Sequence, residues 1–151
     1  YSLKTPSIFS FGLAKVFGSK GLISLQYDLT DFSNLKFNVA DGDINFINQN
    51  KKIERSLKSA GILKLGGEYR ISRLSFRGGY YNQQSINNII NDYSYGYSFG
   101  LGYDLGSSLL NIGILNQNIK KSETIYQEGL TDIIYLRNKQ EQFFISLAVK
   151  L

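Results

Sequence analysis

Between Tyr93 and Leu105 the chain alternates strictly. Tyr93, Tyr95, Tyr97, Phe99, Leu101, Tyr103 and Leu105 occupy one set of positions; Ser94, Gly96, Ser98, Gly100, Gly102 and Asp104 occupy the other. Successive side chains of a strand point to opposite faces, so the pattern predicts a strand with one apolar face and one small or polar face. It holds for about a dozen residues, whereas strands in soluble domains average about five or six. A tilted strand of that length spans the apolar thickness of a bilayer. After Gly106-Ser107 the alternation restarts, with Leu110, Ile112 and Ile114 against Asn111, Gly113 and Leu115. An apolar face, a small polar face and a minimal turn together describe a transmembrane β-hairpin.

The same pattern recurs along the chain. From Pro6 to Phe17, Phe9, Phe11 and Leu13 alternate with Ser10, Gly12 and Ala14, and Gly18 to Gly21 reads as a tight turn. From Leu22 to Asp31, Ile23, Leu25, Tyr27 and Leu29 oppose Ser24, Gln26, Asp28 and Thr30. From Ala60 onward, Gly61, Leu63, Leu65, Gly67, Tyr69 and Ile71 oppose Lys64, Gly66, Glu68 and Arg70. Beyond a turn at Ser72-Arg73, Leu74, Phe76, Gly78 and Tyr80 oppose Ser75, Arg77, Gly79 and Tyr81. From Gln140 to Leu151, Phe143, Ile145, Leu147, Val149 and Leu151 oppose Gln142, Ser146, Ala148 and Lys150.

Three polar stretches without alternation read as long loops, at about 32–58, 83–92 and 119–139, the first with room for a short helix or a strand extension. Short and long connections therefore alternate. Outer-membrane barrels have short periplasmic turns and long extracellular loops, and a soluble up-and-down barrel has no reason to sort its loops this way. About seven strands are expected, an odd number, while bacterial single-chain barrels have an even one. The expected fold is thus an all-β, antiparallel transmembrane outer-membrane β-barrel of which residues 1–151 form the C-terminal part, a single domain with further strands preceding Tyr1. Tyr1-Ser2-Leu3-Lys4 has no basic-then-apolar signal pattern, as expected of a mature chain or a fragment.

Composition narrows the chemistry. The 151 residues include no Cys, His, Met or Trp. A disulfide framework, a thiolate or imidazole metal site and a histidine-based triad are therefore excluded, and no enzymatic activity and no cofactor is expected. Mean hydropathy is −0.18, a value that conceals barrels because the two faces average out. The formal charge is +5 and the pI about 9.3. The basic residues gather in polar segments, Lys51, Lys52, Arg55 and Lys58 in one and Lys120 and Lys121 in another, not along one stripe. They read as solvated loop charge, with anionic lipid headgroups as the functional alternative, and nucleic acid is not expected as a partner.

Three sequence blocks carry a resemblance: TPSIFSFGLAKVFGSKGLISLQYDLTDFSN, LKLGGEYRISRLSFRGGYY and YSFGLGYDLGSSLLNIGI. Their order and spacing resemble the C-terminal half of FadL-like outer membrane transport proteins, especially versions from Bacteroidetes-type bacteria. The resemblance implies half of a fourteen-stranded barrel in the bacterial outer membrane. The whole barrel would be plugged by an N-terminal hatch and would take up hydrophobic small molecules, fatty-acid-like or aromatic, by a passive, porin-like route. The hatch and the first half's pocket lie outside this sequence, and the chain ends in Leu151 where such barrels commonly end in an aromatic residue. The alternative function is a non-transporting structural or docking subunit of a larger outer-membrane complex. Expected partners are outer-membrane lipid, a hydrophobic ligand or other subunits of such a complex.

Within this reading, the lumen-facing charges are Asp28, Lys64, Glu68, Arg70, Arg77, Asp104 and Lys150. Charges enclosed in a barrel must pair or meet water, and a tight turn brings Glu68 and Arg77 within cross-strand reach. Such pairs either rigidify the lumen or form a lining that guides a ligand or anchors a hatch. The lipid-facing aromatic set is Tyr27, Tyr69, Tyr80, Tyr93, Tyr95, Tyr97, Phe99, Tyr103 and Phe143, and Tyr81 is expected in the interface girdle as well. Asp41-Gly42-Asp43 has two carboxylates at calcium-loop spacing without the remaining ligands, and reads as a turn. Asp28 and Asp104 are the acids from which a glycosidase-type pair could be assembled, as in any barrel with lumen acids.

Overall fold

The computed structural model describes residues 2–38, 44–88, 92–124 and 133–149. Two short strands, β1 (Ser2–Lys4) and β4 (Lys36–Asn38), pair with each other. The remaining strands are β2 (Ile8–Val16), β3 (Gly21–Asp31), β5 (Ser59–Ile71), β6 (Leu74–Gln83), β7 (Tyr93–Asp104), β8 (Ser108–Thr124) and β9 (Ile133–Val149). They form one seven-stranded antiparallel sheet in the order β2-β3-β5-β6-β7-β8-β9. The fold is all-β, and every strand of this sheet pairs only with its neighbours along the chain.

Sheet geometry follows from the alternation. Directly paired residues share a face, and the register joins Ser24, Gly66, Gly79 and Ser98 in one row and Leu25, Leu65, Tyr80 and Tyr97 in the next. Continued across the sheet, this gives one small and polar face and one apolar face. The apolar face is open: Phe9, Phe99 and Phe143 are 68%, 57% and 67% exposed. Among the described residues, Ala60 is the one buried hydrophobic side chain. The accessible surface is 11356 Å² at 17.1 kDa, whereas a folded soluble monomer of that mass exposes about 7,700 Å². Among the described residues no second layer covers the sheet.

Short turns at 17–20, 72–73 and 105–107 lie at one end, and the strand ends Asp31, Ser59, Gln83, Tyr93, Thr124 and Ile133 lie at the other. β2, β5, β7 and β9 run towards the short turns, so the two edge strands, β2 and β9, point the same way. In the third short turn Gly106 takes φ 92 and donates its N–H to Asp104 Oδ1 at 2.8 Å, a backbone conformation that suits glycine.

At the other end, the first long connection contains helix α1 (Ile44–Ser56). Asn50 fixes it to β4 by accepting from Phe37 N at 2.8 Å and donating to Phe37 O at 2.9 Å, and the Phe37 and Phe46 rings lie 5.4 Å apart. Lys58 N–Ile86 O and Asn88 N–Ser56 O hydrogen bonds tie this connection to the next one. The long stretch expected as a loop at 119–139 is corrected by the structure: residues up to Thr124 and from Ile133 are paired strand. Alternation fails there because both faces mix apolar and polar side chains, while backbone pairing needs no apolar face. The calcium-like Asp41-Gly42-Asp43 lies outside the described residues.

Candidate functional site

The polar face carries two ion-pair networks separated by small residues. Towards the long connections, Asp28 on β3 accepts from Lys64 Nζ on β5 at 2.8 Å and from Gln26 Nε2 at 2.8 Å. Asp28 is buried, at 9% exposure, because Gln26 and Lys64 close over it. Towards the short turns, Glu68 on β5 holds two arginines, accepting from Arg77 Nε at 2.6 Å and from Arg70 Nε. Arg77 reaches further, donating through Nη1 to Asn111 Oδ1 at 2.7 Å, and Asn111 Nδ2 donates to Ser146 Oγ at 3.3 Å.

This second network crosses from β5 to β9 although β7 lies in between. Gly102 of β7 makes the crossing possible. A Cβ there would sit 2.8 Å from Asn111 Oδ1 and 3.3 Å from Arg77 Nη1, so any larger residue would push the guanidinium off its partner. Between the two networks, Ala14, Ser24, Gly66, Gly79 and Ser98 form a row of small residues across the strands. A recess of about 380 Å³ opens over part of this row, lined by Gly12, Ala14, Ser24, Gln26, Lys64 and Gly66. A larger one of about 690 Å³ lies at the short-turn end, lined by Lys20, Arg70, Arg73, Ser75, Arg77 and Asp104 among others.

Every described member of the charged set, Asp28, Lys64, Glu68, Arg70, Arg77 and Asp104, falls on this polar face. The structure brings Asp28 to Lys64 and Glu68 to both arginines; Asp104 instead caps its own turn, and Lys150 lies outside the described residues. Asp28 and Asp104 do not form a catalytic pair. The row of Asp28 meets β7 at Ser94, ten residues from Asp104, about 33 Å along the strand. Among the described residues no group of three or more acidic side chains gathers to hold a metal.

Tyr27, Tyr69, Tyr80, Tyr93, Tyr95, Tyr97, Phe99, Tyr103 and Phe143 all lie on the apolar face. Ring pairs Tyr93–Tyr95 and Tyr97–Phe99 run along β7 with centroids 5.8 and 6.0 Å apart. Tyr81 is a correction to the expected girdle: its register partners are Lys64 and Gly96, on the polar face, where its hydroxyl lies 3.4 Å from Ser94 Oγ. Its position next to Tyr80 puts it on the opposite side of the strand. Sequence reasoning does not single out Asn111 and Ser146; the signal for Asn111 is a polar residue whose β7 partner is a glycine, Gly102, and Ser146 follows as its partner on β9.

The pairing of Lys64 and Asp28 leads to one expected result. Lys64→Met, which keeps the length of the side chain and removes its charge, is expected to lower the urea midpoint of unfolding by less than the loss of Glu68 does, because Lys64 is 48% exposed and water replaces it. A larger effect would show that the Asp28 carboxylate is sealed from solvent.

No family model, no curated protein and no solved structure matches the chain. The functional reading rests on the sheet and its two faces.

Proposed function

We propose that this chain forms part of the wall of an outer-membrane β-barrel of FadL-like type, with its apolar face against lipid and its polar face lining the lumen. The barrel carries hydrophobic small molecules passively across the bacterial outer membrane, and no side chain of the chain acts as a catalyst. One observation carries this reading. A sheet whose one face is paired by Asp28–Lys64 and Arg70–Glu68–Arg77, and whose other face leaves Phe9, Phe99 and Phe143 open, has its apolar surface directed outwards with no core to receive it. In lipid, that surface is where it belongs.

Closure follows the same logic. Backbone groups of an open edge cannot be left unpaired in hydrocarbon. Because β2 and β9 run in the same direction, antiparallel closure needs an odd number of further strands between them, from the same polypeptide or another. Two copies of this sheet joined edge to edge about the barrel axis would meet in parallel.

The absence of native cysteine allows a direct test. Single cysteines at Leu101 and Ile112, on the apolar face, and at Ser98 and Gln117, on the polar face, are introduced into the chain folded in lipid vesicles. The first pair is expected to resist a water-soluble maleimide and to be quenched by lipid-borne quenchers, and the second pair to behave the opposite way. Equal labelling of all four by the water-soluble reagent removes the membrane-wall reading.

A further inference from the structure

The β8–β9 hairpin extends beyond the apolar band of the sheet. The last outward apolar residues before the extension are Ile114 on β8 and Phe143 on β9. Beyond them the apolar-face positions turn polar, with Asn116, Asn118 and Glu141 among them, and carry three cations: Lys120 stands directly opposite Arg137, and Lys139 lies one row below. Like charges directly opposite each other on one face destabilise a strand pair. Among the described residues none of these three cations forms an ion pair. Glu141, on the same face of β9, accepts from Asn116 Nδ2 at 2.9 Å. Lys120 is held over the Tyr135 ring, its Nζ 4.5 Å from the centroid, which keeps it on this face.

We infer that Lys120, Arg137 and Lys139 form an outward-facing site for the phosphate groups of phosphorylated lipid headgroups in the leaflet at the long-connection end. This rests on the membrane-wall reading proposed above. Lys139 lies four residues and Arg137 six residues beyond Phe143, about 13 and 20 Å along the strand. At a strand tilt of about 40°, that places them about 10 and 15 Å above Phe143, in the rows of Tyr95 and Tyr93 on β7. Long basic side chains bend back towards the headgroup layer and close the remaining distance. An anion between Lys120 and Arg137 turns a repulsive cross-strand pair into a clamp. Lipid phosphate is the anion that a membrane supplies at this height and on this side of the wall.

The test uses the chain closed by the strands that complete its barrel, reconstituted into vesicles of zwitterionic phospholipid mixed with diphosphorylated lipid A or with its dephosphorylated form. Native mass spectrometry after gentle extraction counts the glycolipid retained. The wild-type chain is expected to prefer the phosphorylated form. The triple variant Lys120→Gln, Arg137→Gln, Lys139→Gln is expected to lose that preference, by on the order of a hundredfold for three charges near a membrane surface. Lys121→Gln, which changes the neighbouring residue on the opposite face, is expected to leave it intact. An inserted chain that retains both glycolipids equally, or a triple variant that keeps the preference, overturns this inference alone. Cysteines at Leu101 and Ile112 that the water-soluble maleimide labels as readily as those at Ser98 and Gln117 in the same vesicles overturn the wall reading and this inference with it.

Discussion

Replacing Leu101 by arginine is expected to destabilise the folded chain in lipid vesicles by about 2–4 kcal/mol, the cost of a cation on the lipid face near the bilayer midplane. Leu101 lies in the middle of β7 on the apolar face, paired with Phe76 and Ile112. It is 43% exposed, so in a water-soluble sheet the same change would stay within about 0.5 kcal/mol. Gln117→Arg on the opposite face supplies the comparison, since there the new charge meets polar neighbours at Gly96 and Gln140 and the effect is expected to be small. Urea titration of folding into vesicles measures both. Similar costs for the two variants would mean that the faces do not differ in environment.

The second large effect is expected at Glu68. Its carboxylate holds Arg70 and Arg77 together while being 14% exposed itself. Glu68→Ala removes that counter-charge and leaves two guanidinium groups beside each other, one of them still bound to Asn111. Losing one partner of a buried pair costs about 3–5 kcal/mol. The arginines here are 56% and 37% exposed, and water takes over part of the lost contact, so about 1–3 kcal/mol is expected. The double variant Glu68→Leu, Arg77→Leu is expected to recover much of this loss, because no unpaired charge remains. A double variant no better than Glu68→Ala alone would show that the network stabilises through shape and not through charge.

The two faces were legible because the alternation between Tyr93 and Leu105 is so regular that one register places every side chain. The tight turn at Ser72-Arg73 likewise made the Glu68–Arg77 contact readable in advance, and the pairing bears it out. The link from Arg77 to Asn111 was not legible. It spans β7, and depends on how far a guanidinium reaches over a glycine, which periodicity does not express. The extension of β8 and β9 was missed for a different reason. Alternation reports the environment on either side of a strand, and Lys120, Ser122, Tyr135 and Arg137 share a mixed face. Helix α1 is one of two readings the polar stretch admits, since its Ile44, Phe46, Ile47 and Ile53 are too sparse to impose a helical period.

The sheet's connectivity also has a kinetic side. Each of its seven strands pairs only with the sheet strands that precede and follow it, β3 and β5 alone having β4 and α1 between them, so most of its ladder forms between segments separated by a short stretch of chain. Topologies of this kind lose little loop entropy per contact and form quickly for their size. The wall can therefore grow one hairpin at a time, each new hairpin zipping onto the edge left by the last. On the barrel reading proposed above, the slow step falls at the end, when two distant edges must find each other across the full circumference.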